Sequence, residues 1–269
     1  MRTLLAEVAP YLAFARAAFA RQWTYGTANW AGLFTNSFFL FFRAYALEAC
    51  FDARNEIGGL DAQAVVTYVT VSQSLVMVCP QWGALGLAAA VKSGQVAIQL
   101  LRPVDLYGSV LARRLALSAY YVGARMLPVL CIGGMAGLLS WPDPTWLPAF
   151  VISVVLGAII GTSILVLAEA SAFWFESERG VRYLILGAAV LPSGLLVPVD
   201  FFGPWLEVVA TVLPFAHSLY TPTRIWMGGL TGAEVGGLLA LQGGWAVALV
   251  WLARRVLAAG ASRLQVLGG

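Results

Sequence analysis

Apolar residues arrive in blocks of about twenty separated by short polar stretches, the rhythm of helices that each cross a hydrocarbon layer. The blocks at 30–47, 64–85, 115–139, 148–173, 183–196 and 235–252 predict six transmembrane helices. Ahead of them Val8, Leu12, Ala15, Phe19 and Trp23 recur at spacings of three and four, with Arg16 and Arg21 off the stripe. That pattern predicts an interfacial helix over 7–25, lying in the membrane surface; a frayed start to the first span is the alternative. Ala18-Phe19-Ala20 imitates a signal-peptide cleavage site, but Glu7, Pro10 and Arg16 interrupt the apolar core such a peptide needs, so no cleavage is expected.

Two stretches break the rhythm. Residues 86–107 set Lys92, Gln95, Gln99, Arg102 and Asp105 among aliphatic residues, which predicts a surface helix ending at Arg102-Pro103. Residues 198–229 are apolar yet carry Pro198, Gly203, Pro204, Pro214 and Pro222, too many breaks for one straight helix. Broken, re-entrant helices fit there, because irregular backbone at membrane depth must be covered by protein. The expectation is one all-α transmembrane domain over 1–269, with a re-entrant helical hairpin between helices five and six.

Composition agrees: 60% of residues are apolar, 11% are charged and mean hydropathy is +0.82, whereas soluble domains carry about 25% charged residues. The net charge of +3 is dispersed, which argues against a nucleic-acid partner. It reports orientation instead. With the amino terminus inside, 12 of the 16 basic residues fall on the cytoplasmic side, whereas Glu48, Asp52, Glu56, Asp61, Asp143, Asp200, Glu207 and Glu234 fall outside. Both termini are therefore expected in the cytoplasm, in a multi-pass membrane protein. Cys50, Cys79 and Cys131 lack metal or disulfide spacing.

Candidate chemistry is sparse. Gly86 through Lys92-Ser93 imitates a phosphate-binding loop, but Val91 replaces the glycine whose backbone would approach a phosphate, so any nucleotide must be hydrolysed by another chain. His217, the one histidine, has Ser218 beside it and no nucleophile elbow, and is expected to be structural. No catalytic, cofactor-binding or metal site is expected. Arg125 and Glu169 each lie about seven residues from the cytoplasmic end of a span, on the order of 10 Å deep. An unpaired charge there costs about 2.5–3.5 kcal/mol on insertion scales, so an intramembrane pair is expected, as a brace rather than a substrate contact. Gly133 with Gly137, and Gly157 with Gly161, have the spacing of close helix contacts within one chain.

Two runs carry a resemblance. Lys92-Ser-Gly94-Gln-Val-Ala-Ile98-Gln-Leu-Leu101-Arg102-Pro103-Val-Asp105 and Gly194-Leu-Leu-Val-Pro198-Val-Asp200-Phe201-Phe202-Gly203-Pro204-Trp205, continuing to Leu213-Pro214-Phe215 and Tyr220-Thr-Pro222, resemble the permease subunits of type-two ATP-binding cassette exporters (type V exporter-like). The terminal Val266-Leu-Gly268-Gly269 is similar too. Gly203 precedes Pro204 here, the reverse of the usual order. The resemblance implies two permeases, identical or paralogous, working with two ABC ATPase subunits that bind ATP and Mg, with no cofactor in this chain. It implies a coupling helix around Gly94, Ile98, Arg102, Pro103 and Asp105 that docks on the ATPase. It also implies an outer gate at Pro198, Asp200, Phe201, Phe202, Trp205 and Pro214, whose aromatics equally suit anchoring at the outer interface. A path without charge rings favours amphiphiles, lipids, peptides or drugs as cargo; a secondary transporter or channel is the alternative.

Overall fold

The computed structural model describes residues 2–24, 26–52, 54–80, 83–175 and 177–264; the terminal run 266–269 and Glu176 lie outside the described residues. Twelve α-helices are found among them: α1 (Arg2–Trp23), α2 (Gly26–Glu48), α3 (Ala62–Leu75), α4 (Leu87–Lys92), α5 (Gln95–Leu100), α6 (Leu106–Tyr121), α7 (Leu127–Met135), α8 (Leu147–Ala170), α9 (Glu178–Val190), α10 (Pro204–Val212), α11 (Ala216–Met227) and α12 (Gly232–Ala261). No strand forms among the described residues beyond one isolated pairing of Ile57 with Leu60. A π-helical turn, Val122–Met126, joins α6 to α7, where Pro128 lacks the N–H that would continue the regular ladder.

Among the described residues three helices are long and apolar enough to cross a membrane: Leu106–Met135, Pro144–Phe173 and Gly232–Ala261. The chain is an integral membrane protein. In two of the predicted spans the helix ends before the apolar block does. The block at 64–85 is helical only to Leu75 and then turns towards Pro80, and the block at 183–196 is helical from Glu178 to Val190, ending ahead of Pro192. In both, a proline stops a helix inside sequence that remains apolar. The predicted third span starts early, at Leu106, because the Asp105 side chain accepts the Gly108 N–H at 2.7 Å and caps the helix there.

The single surface helix expected over 86–107 is two short helices. Gly94 adopts φ +73° between α4 and α5, a conformation an L-residue with a side chain rarely takes, and α5 ends at Leu100, before Arg102-Pro103. The broken reading of 198–229 holds in outline: a 3₁₀ turn, Val199–Phe201, then α10 and α11 separated around Pro214.

At the centre, α8 packs against α11 and α12, α11 packs on α3, and α2 lies on α3 and α7. Every residue of α3 from Val65 to Leu75 is buried. Small residues set the approach. At Gly157 an added Cβ would stand 2.6 Å from the Ser218 carbonyl oxygen of α11, and at Gly161 it would stand 2.5 Å from the Pro80 carbonyl oxygen. This glycine pair joins helices of one chain, as expected. Of the other pair, Gly133 faces Thr70, but Gly137 lies past the end of α7 at φ +73° and serves the turn rather than a contact.

Candidate functional site

The α4–α5 region presents an apolar and a basic surface together. Val96 is fully buried and, with Leu87 and Leu106, packs on Val166 of α8 and Leu257 of α12. On the opposite side Ile98 is 62% and Leu101 86% exposed, next to the exposed Arg102 and Lys92. This division follows from two six-residue helices pinned at their ends by turns, α4 burying Leu87, Ala88 and Ala90 and α5 burying Val96 alone. Asp105 is at the surface, but its carboxylate is engaged by the Gly108 N–H and by Arg254 at 3.3 Å, and Arg102 lies over the Phe14 ring of α1 at 5.9 Å. The Asp105 N–H donates to the Tyr11 hydroxyl at 3.0 Å, so α1 is fastened to the turn that follows α5.

What anchors α4 is Glu169. Its carboxylate, 1% exposed near the end of α8, accepts the Leu85 N–H at 2.6 Å on Oε1 and those of Leu87 (2.8 Å) and Ala88 (3.2 Å) on Oε2. These are the orphan donors that a helix start leaves unpaired, here met by a negative group on another helix. The expected ion pair with Arg125 is therefore corrected: no contact joins the two. Arg125 sits in the π turn, 7% exposed, over the Tyr121 ring at 5.9 Å and in the space left by the missing side chain of Gly32 on α2. α8 is rotated so that Glu169 faces the α4 start instead.

The outer candidates also assemble around one group. Asp200, in its 3₁₀ turn, accepts the Tyr220 hydroxyl at 3.1 Å and lies 3.7 Å from Arg224 Nε, both on α11. Tyr220 packs on Tyr68 of α3, whose hydroxyl donates to the Gly194 carbonyl at 2.7 Å. Phe202 packs on this cluster and Phe201 meets Phe51 at 6.3 Å. Trp205 is apart, 73% exposed on the face of α10 that also shows Val208 and Val212. Pro198 leads into the 3₁₀ turn, and Pro214 marks the corner between α10 and α11. Asp200→Asn should cost about 1–3 kcal/mol of stability by weakening a largely buried charged hydrogen bond, whereas Trp205→Ala should stay within about 0.5 kcal/mol. Thermal unfolding of the two variants in detergent checks this ordering.

Sequence reasoning missed a polar network between α2 and α3. Arg43 Nη1 donates to Gln73 Oε1 at 2.7 Å, and Gln73 Nε2 donates to Asn36 Oδ1 at 2.5 Å. The signal was present as Asn36 and Arg43, seven residues apart on one helix face, and Ser72-Gln73 inside an apolar run. His217 is buried, with Nδ1 2.9 Å from the Thr221 hydroxyl oxygen, a structural position on α11.

The family model described as ABC-2 family transporter protein matches residues 34–268. No curated protein and no solved structure matches the chain.

Proposed function

Because the chain belongs to the ABC-2 transporter family, a family of membrane components that associate with ABC ATPases, we propose that it is the permease of an exporter, working as one of two permeases with two ATPase subunits. On this reading six segments cross the bilayer: α2, α3 with its following turn, α6–α7, α8, α9 with its following turn, and α12. The α10–α11 region re-enters from the outside, both termini are cytoplasmic, and α1 lies in the inner interface of a bacterial inner membrane. The cargo on this reading is an amphiphile, lipid, peptide or drug, the classes that the sequence resemblance favours.

The observation that supports this most is the α4–α5 surface: an exposed Ile98–Leu101 apolar patch beside basic side chains, on a unit clamped from behind by Glu169. A docked ATPase pushing on that patch would load α8 through the Glu169 hydrogen bonds. From Glu169 to Gly157 is twelve residues, about 18 Å of helix. There α8 touches the Ser218 backbone of α11, and α11 holds Asp200 of the outer segment. ATP-driven closure would thus reach the outer gate as rigid-body movement of packed helices. On this reading the partner hydrolyses ATP, and the work of this chain is positioning.

The test replaces exposed Cys50 and Cys131 with serine, introduces cysteine at Ile98, and labels intact cells and inverted membranes. Labelling at 98 is expected only where the cytoplasmic face is open to the reagent. Ile98→Asp should leave the purified permease folded, because the side chain is exposed, and should abolish permease-stimulated, vanadate-sensitive ATP hydrolysis by the partner. Labelling from the outside, or full stimulation by the aspartate variant, would remove the coupling assignment.

A further inference from the structure

Between α1 and α6 lies a cavity of about 500 Å3. Two further pockets, of about 550 and 180 Å3, are lined by residues it also uses: Arg21 and Arg113 in one, Phe14 and Arg113 in the other. Their cationic side chains are Arg21, Arg102, Arg113 and Arg114, and no carboxylate lines them among the described residues. Among the described residues, the carboxylates of Glu169 and Asp105 stand near this region. Glu169, behind Leu85, has both oxygens on backbone N–H groups, and Asp105 is held by Gly108 and Arg254.

Arg113 and Arg114 are half-buried, whereas Arg21 and Arg102 are exposed. Arg113 is held by the Ser109 carbonyl (3.0 Å) and hydroxyl (3.3 Å), and it shares the Phe14 ring with Arg102, with guanidinium carbons 5.5 and 5.9 Å from the centroid. Arg114 has its Nε buried without a hydrogen-bond partner. Arg102, exposed, and Arg113, half-buried, repel one another across one ring, and an anion placed among the arginines relieves both the repulsion and the unmet Arg114 donor. Apart from Gln22, the remaining walls of the first cavity are apolar, with Phe14, Val110 and Leu117 the largest contributors on α1 and α6. Arg113-Arg114 mark the end of the polar stretch from which the apolar run at 115 begins. A ligand here needs an anionic group at one end and hydrocarbon at the other.

We propose that the cleft between α1 and α6 binds the phosphate of an anionic phospholipid, with its acyl chains running along the Leu117 side. Basic pockets at the polar border of membrane helices suit such headgroups. Held there, the lipid would glue α1 to α6 and so set the stiffness of the turn after α5, which α1 grips through Tyr11. This assignment does not depend on the ATPase coupling above.

The experiment uses the full chain in nanodiscs of phosphatidylcholine doped with phosphatidylglycerol, and counts lipids retained on extraction by native mass spectrometry. The wild type should retain phosphatidylglycerol in clear preference to phosphatidylcholine. Removing Arg21 and Arg114 together (Arg21→Gln with Arg114→Gln) should cut the preference by about fivefold per arginine. Arg114→Lys should keep most of it, and Arg54→Gln, outside the cleft, should change nothing. If the glutamine pair does not fold, a photoreactive phosphatidylglycerol on the wild type must label the peptides around Phe14 and Leu117. Equal retention of the two lipids, an unchanged preference in the glutamine pair, labelling elsewhere, or displacement of the lipid by millimolar inorganic phosphate would each overturn the proposal, the last by identifying a soluble-anion site.

Discussion

Glu169→Ala will lose about 3–5 kcal/mol of stability, the cost of breaking a buried charged network from one side. The loss arises because three backbone N–H groups, those of Leu85, Leu87 and Ala88, are left without the carboxylate they now share. Glu169→Gln keeps one carbonyl oxygen and should cost less, about 1–3 kcal/mol. The effect has a place as well as a size. Hydrogen exchange should accelerate first at the amides of 85–88, before the centre of α8 responds, because the tie between α8 and α4 opens while the α8 ladder is intact. On the proposed function the same variant should still bind the ATPase yet fail to transmit its stroke. A double variant with Arg125→Ala should be additive within about 0.5 kcal/mol, since the two side chains share no partner. Strong coupling in that cycle, or unchanged exchange at 85–88, would refute the arrangement.

The double variant Gly157→Ala with Gly161→Ala should be destabilised by about 2–4 kcal/mol. Two effects compete. Alanine is the better helix former by about 1 kcal/mol per site, so on propensity alone α8 should gain. Against this, each new Cβ would meet a backbone carbonyl oxygen, at 2.6 Å for Ser218 and 2.5 Å for Pro80, and backbone cannot swing aside as a side chain can. The helices must separate, which forfeits contacts along their length, and the packing loss exceeds the propensity gain. Gly236→Ala and Gly244→Ala on α12, where nothing lies within 4 Å, should be neutral or stabilising. Thermal unfolding of the three variants at two protein concentrations tests both points. A loss that grows on dilution would mean that the α8 glycines serve a contact between chains instead.

The long helices were legible in the sequence because each is self-sufficient. The 24-residue α8 is apolar from Leu147 to Ala168, and a continuous apolar run of that length has few alternatives in a cell. The proline-rich corner between α10 and α11 was legible for the same kind of reason, since proline acts on its own backbone. The ends of α3 and α9 were misread where two local signals disagreed: hydropathy continued to residues 85 and 196, but Pro80 and Pro192 had already stopped the helices. A block average registers solvent preference and is blind to a missing N–H. The surface helix over 86–107 failed likewise at Gly94, where apolar periodicity passed through a residue whose backbone turns left-handed.

The candidate site divides in the same way. Sequence placed Gly94, Ile98 and Arg102 in a polar interruption, and it identified the α8 glycines as a close contact without naming the surface they meet. It could not say that Glu169 would face Leu87 rather than Arg125, or that Arg43 would meet Gln73. Membership of the lipid-embedded class, the long spans and the breaks between them are fixed by the sequence alone, because transfer from water to hydrocarbon adds residue by residue and needs no partner. The pairing of its few buried charges was decided only in three dimensions. A hydrogen bond is made or lost within a few tenths of an ångström and a few tens of degrees, and that depends on how each helix is rotated against its neighbours, which no local pattern encodes.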